Sequence, residues 1–134
     1  MNPFALAAIS GTICLPATYS LAREGSISLA VLVVALLGAI GGAMAQRSEK
    51  NGVRPWTLSL AFVVGAMFSE VVAVAHYYIS YGHQDPKLAV GVSVSIIEFL
   101  VISVVGGFAL LASAQITHSR ITRRSKGRAA SGAP

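Results

Sequence analysis

Charged side chains are what this sequence has least of. They make up 11% of its 134 residues, whereas soluble domains carry about 25%. Such a chain cannot cover a water-facing surface, and the residues left over leave no room for a separate soluble domain. There is a single cysteine, which excludes an internal disulfide and any cysteine-built metal cluster. Cys14 reads as a small packing residue. The sequence also lacks a glycine-rich phosphate loop, a nucleophile elbow and a Ser/His/Asp arrangement. His76, His83 and Asp85 lie near one another in the chain without metal-ligand spacing, and read as interfacial polar residues. No catalytic residue, metal or cofactor is expected, and the chain does not read as an enzyme.

The missing charges leave long uncharged runs. Between Arg54 and Asp85 the only charged side chain is Glu70, between Lys87 and Arg120 it is Glu98, and between Glu24 and Arg47 there is none. A spanning helix needs about 20 apolar residues, and these three runs supply it. Trp56 stands at one end of the central run and Tyr77, Tyr78 and Tyr81 at the other, the aromatic placing of a membrane–water boundary. The fold expected is an all-α integral membrane protein with three transmembrane helices, at about 26–46, 56–81 and 88–114. Before them lies a hydrophobic segment, 1–22, interrupted by Pro16. Its alternatives are a helix in the interface, a fourth span kinked at the proline, or a signal peptide, which its lack of N-terminal Lys or Arg disfavours. After them comes a basic tail, 117–134, expected to lack fixed structure and to be drawn to anionic lipid.

Small residues recur along the spans. Gly38 and Gly42 form a small-xxx-small pair, with Ala35 and Ala45 continuing it. Ala61, Gly65, Ser69 and Ala73 repeat every four residues on the central helix. Small residues let helix backbones approach closely in lipid, where apolar burial gives no drive. These six (Gly38, Gly42, Ala61, Gly65, Ser69, Ala73) are the candidate packing residues. Pro55 suits the first turn of the central helix, and Asn51–Gly52 marks a turn before it.

Lysine and arginine are distributed unevenly. The Arg47–Arg54 loop holds three and the tail five (Arg120, Arg123, Arg124, Lys126, Arg128), while Arg23 and Lys87 stand alone in the other connections. By the positive-inside rule the loop and the C-terminus are cytoplasmic. The basic residues flank or follow apolar segments, so lipid rather than nucleic acid is the expected partner.

Glu70 and Glu98 are the intramembrane polar candidates. At about 1.5 Å per residue, Glu70 lies roughly 21 Å from Trp56 and Glu98 roughly 16 Å from Lys87. For antiparallel neighbours these are similar depths. Two carboxylates held close together cannot easily both ionise. They read either as a neutral hydrogen-bonded pair between helices or as a proton or cation site.

The layout resembles the small three-span holins of bacteriophages. The resemblance rests on the stretch ending near AREG, a small-residue-rich span, the basic turn RSEKNGVR, two spans with embedded polar residues and a cytoplasmic tail of Arg and Lys. The opening MNPFALA departs from the paired starts and N-terminal lysine of that family, and no functional residue carries over. The resemblance implies a protein that oligomerises in the bacterial inner membrane and permeabilises it, releasing a cell-wall hydrolase. Two other classes stand beside it: a non-catalytic subunit or assembly factor of a larger membrane complex, and a small carboxylate-dependent cation or proton transporter. The partners expected are membrane lipids, further copies of the chain, or other membrane subunits.

Overall fold

The computed structural model describes residues 2–23, 25, 27–49, 52–81 and 88–130, with side chains described at all of these except 19–23, 27, 81, 88–95 and 129–130. Among them run four helices: α1 (Pro3–Arg23), α2 (Ile27–Arg47), α3 (Pro55–Tyr81) and α4 (Leu88–Ala130). No strand occurs among the described residues. Three of the helices, α2, α3 and α4, are long and apolar enough to cross a membrane.

Local chemistry sets the helix ends. Asn2 caps α1, its Oδ1 accepting the Phe4 N–H at 2.9 Å, and Pro3 fills the first turn, where a missing N–H is no loss. Ser48 closes α2: its N–H bonds the Met44 carbonyl at 3.1 Å and its hydroxyl the Ala45 carbonyl at 2.8 Å. Pro55 opens α3, and the Arg54 carbonyl before it accepts from both Thr57 N–H and Thr57 Oγ1.

The four helices form a ring. α1 packs beside α2 and α3, and α4 also packs beside α2 and α3, which leaves α1–α4 and α2–α3 as the diagonals. Consecutive helices α2 and α3 therefore do not form a tight hairpin; their connection crosses the end of the bundle. It is held there by Gln46, fully buried. The Gln46 side-chain carbonyl accepts from Val53 N–H at 2.8 Å, and its amide donates to the Val53 carbonyl. Gly52 turns the chain at φ +72°. A side chain there would meet His118 Nδ1 at 2.6 Å and Gln46 Oε1 at 2.9 Å, so glycine is required twice over.

In lipid, close approach and hydrogen bonds hold helices together, and all four sides of the ring use them. Gly38 lies directly on the backbone of Gly106, and Gly65 on the backbone of Ala8. Ser10 on α1 donates to the Leu37 carbonyl of α2 at 2.7 Å. Thr12 donates to Gly65 of α3 at 3.2 Å, Ser113 of α4 to Ala39 of α2 at 2.6 Å, and Ser59 of α3 more weakly to Gly107 of α4 at 3.5 Å. Such bonds contribute about 0.6 kcal/mol each inside a bilayer. Phe62 fills the centre, its ring against Gly106, whose missing side chain makes the space. The outward faces are apolar, with Leu32, Leu36, Leu60, Phe68, Leu100 and Phe108 all more than half exposed. An exterior of this kind suits hydrocarbon, not water.

Segment 1–22, open in the sequence between surface and span, is over most of its length a member of the ring. It runs lengthwise beside α3, from Ala8 at Gly65 to Thr12 at Ser69. Pro16 explains part of that docking. A proline has no N–H for the carbonyl four residues back, here Thr12, and an unsatisfied carbonyl is costly in lipid. The Ser69 hydroxyl of α3 donates to it at 3.1 Å. Ser69→Ala is thus expected to lower stability in detergent by about 1–2 kcal/mol. In a Pro16→Ala background, where residue 16 regains its N–H, the loss should shrink by at least half. Equal losses in both backgrounds would refute the compensation.

The structure also differs at the other terminus. α4 continues without a break through the basic segment to Ala130, where the sequence reading had a tail without fixed structure. Lys, Arg and Ala are strong helix formers, and the extension grows from a helix already nucleated. Hydroxyls at Thr117 and Thr122 bond carbonyls one turn back, at 2.9 and 2.6 Å. Residues 131–134 lie outside the described residues.

Candidate functional site

Helices α3 and α4 run in opposite directions side by side, with Ser59 near Gly107 and Phe62 near Gly106. Following that pairing along the two helices brings Glu70 and Glu98 to the same level, and Glu98 is close enough to act on Glu70 electrostatically. The two are unlike in setting. Glu70 is buried at 6% exposure, and neither of its carboxylate oxygens has a hydrogen-bond partner among the described residues. Glu98 is only partly buried and accepts a hydrogen bond at Oε1 from the Thr18 hydroxyl at 2.9 Å.

Thr18 comes from α1, so the site is built by three helices. Its single hydroxyl proton has a choice of acceptors: Glu98 Oε1, the Cys14 carbonyl and the Leu15 carbonyl are all 2.9 Å away. The hydroxyl can therefore turn toward the carboxylate or back onto its own helix without moving the backbone. The walls are apolar. Cys14, Ala66 and Ile102 are buried on α1, α3 and α4, and Ala73 packs against that core. A charge at Glu70 is enclosed by apolar side chains, which makes the identity of its neighbours decisive.

The other sequence candidates have different places. Gly38 and Gly42 are buried at the α2–α4 contact, where a methyl group on Gly42 would come within 2.6 Å of the Leu110 carbonyl. Gly65 and Ser69 serve the α1–α3 contact, and Ala61 and Ala73 lie at the core edge. On the Glu98 face of α4, Ile102 one turn on is buried, while Gly91 and Ser95 lie where side chains are outside the described set. His76 is exposed; His83 and Asp85 lie outside the described residues. Among the described residues no three His, Cys, Asp or Glu side chains gather as a metal site would require. The Arg120, Arg123, Arg124, Lys126 and Arg128 side chains are exposed along the α4 extension.

Thr18 is the site residue that sequence reasoning missed. A threonine in a segment with open placement carries no signal of its own. The available hint was its position one turn beyond Cys14, on the α1 face that also carries Leu15. Thr18→Val keeps the shape and removes the donor, and is expected to cost about 1–2 kcal/mol of stability. A double-mutant cycle with Glu98→Gln, read by denaturant unfolding in detergent, should show coupling of at least about 0.5 kcal/mol. Strict additivity would mean the hydroxyl serves only its own helix.

No family model, curated protein or solved structure matches the chain. The functional reading therefore rests on the site.

Proposed function

We propose that this protein is a non-enzymatic proton-translocating element of a bacterial inner membrane, with its C-terminus in the cytoplasm, and that the Glu70–Glu98 pair binds and releases the proton. One observation carries the reading: a carboxylate buried among apolar side chains, without a hydrogen-bond partner among the described residues, beside a second carboxylate that has one. A purely structural pair gains its stability by bonding across the helices, which leaves Glu70 unexplained. An intramembrane carboxylate with no structural partner is a functional site by default. A proton is the simplest ligand because two carboxylates can share one with no further coordination. A metal cation would be the harder ligand to hold, since among the described residues no third His, Cys, Asp or Glu side chain joins the pair.

The holin-like reading makes a different demand. Protomers would gather through the Gly38/Gly42 and Ala61/Gly65/Ser69 faces, but these faces are occupied within the chain, so the ring would have to open first. One experiment separates the two. The purified protein is reconstituted in vesicles holding a pH-sensitive dye, and a potassium diffusion potential is imposed. Proton uptake without release of co-trapped calcein supports proton translocation. Calcein release supports a lesion, and silence in both channels removes the proposal.

A further inference from the structure

We infer that the cytoplasmic end of the bundle is a binding surface for anionic glycerophospholipid headgroups, built jointly by α4 and the α2–α3 connection. Five cationic side chains follow the apolar part of α4, and Arg120, Arg123 and Arg124 lie at i, i+3 and i+4, so they share one helix face. Arg128 continues that face one turn further on. The level of this face is fixed by contacts. His118, two residues before Arg120, packs against Gly52 of the connection. Gly52 stands just before α3, whose first turn carries Trp56, 68% exposed and placed as an interfacial anchor.

Arg120 therefore emerges at the depth of the headgroups, about 9 Å beyond the apolar boundary at Ala114 by helix rise, with Arg123 and Arg124 about one turn further out. Arg47 and Arg54 are exposed at the same end and widen the patch beyond α4. Glu49 is the one carboxylate described there. A cationic surface that begins at headgroup depth and rises along one helix fits lipid phosphates more closely than a soluble polyanion, which would have to approach past the membrane surface. Helical order through the basic segment supports this further, because it holds the guanidinium groups in register where an unstructured tail would let them spread.

The test is competitive lipid retention by the full chain. The protein is equilibrated with equal amounts of phosphatidylglycerol and phosphatidylcholine of matched chains, and retained lipids are counted by native mass spectrometry. The expected result is enrichment of phosphatidylglycerol by about fivefold or more, given that each basic residue near the surface adds to the attraction. That enrichment should fall by at least half in R120Q/R123Q/R124Q, with helicity checked by circular dichroism. In the parent it should also fall in about 1 M salt, where the screening length is about 3 Å; this arm stands even if the variant fails to fold. Equal retention of the two lipids by the parent overturns the inference, as does enrichment unchanged in the folded variant or in salt. Release of the anionic lipid by an RNA duplex or an acidic peptide at matched charge would assign the surface to a soluble polyanion and overturn it equally.

Discussion

Glu70→Gln is expected to bring proton uptake down to the level of empty vesicles while leaving the fold intact. Glutamine has nearly the shape of a protonated glutamate but cannot release a proton, so it removes the chemistry and spares the packing. Glu98→Gln should be less severe, because Glu98 is partly exposed and the Thr18 hydroxyl can turn back to the Cys14 or Leu15 carbonyl. Glu70→Leu supplies the deciding sign. If the carboxylate served stability, an apolar replacement would weaken the protein. A buried carboxylate without a partner has the opposite effect, so leucine should stabilise the chain by about 1–3 kcal/mol while abolishing flux. The measurements are dye-reported proton uptake in vesicles and unfolding by denaturing detergent. Flux retained by Glu70→Gln, or destabilisation by Glu70→Leu, would sink the assignment of Glu70 as the proton carrier.

A similar depth for the two carboxylates was legible before any coordinates, provided their helices were antiparallel neighbours. Uncharged runs gave the helices, and helix rise put Glu70 and Glu98 at similar depths on antiparallel neighbours. The order of the ring was not legible. A connection as long as residues 48–54 suits neighbours as well as diagonals, and the order follows from α1 and α4 each packing against both α2 and α3, which no local pattern records. The small-residue faces were legible as contact faces but not as to partner. Gly38 reads the same whether the opposing backbone belongs to Gly106 or to a second molecule, because periodicity records a close approach and not whose backbone approaches. Pro16 marked an interruption in α1, and the matching donor at Ser69 could be found only once α1 and α3 were side by side. The helical course of α4 past Ala114 was hidden for a different reason: charge density argues for solvation, and solvated helices and solvated coils share it.

Gly65→Leu should unfold the α1–α3 half of the bundle rather than dissolve an oligomer. The first added carbon would overlap the Ala8 carbonyl oxygen and lie 2.8 Å from its carbon and 2.9 Å from its Cα. These are backbone atoms, so no side-chain rotation relieves the clash, and α1 must move away as a body. That movement separates Thr12 from the Gly65 carbonyl and Ser69 from the Thr12 carbonyl, which re-exposes the acceptor that Pro16 cannot satisfy. Overpacking alone costs about 1–3 kcal/mol. With an orphaned carbonyl added at about 1–3 kcal/mol, the total is roughly 4 kcal/mol, a large share of the stability of a small domain. Gly127→Ala is the control: nothing lies near a side chain there, and alanine should be neutral or stabilising by up to about 1 kcal/mol. Unfolding in denaturing detergent, run beside light scattering for mass, reads both possibilities. A lowered unfolding midpoint at constant mass places the glycine face inside the protomer. An unchanged midpoint with a smaller particle would return that face to contacts between copies, and with it the gathering of protomers on which a membrane lesion depends.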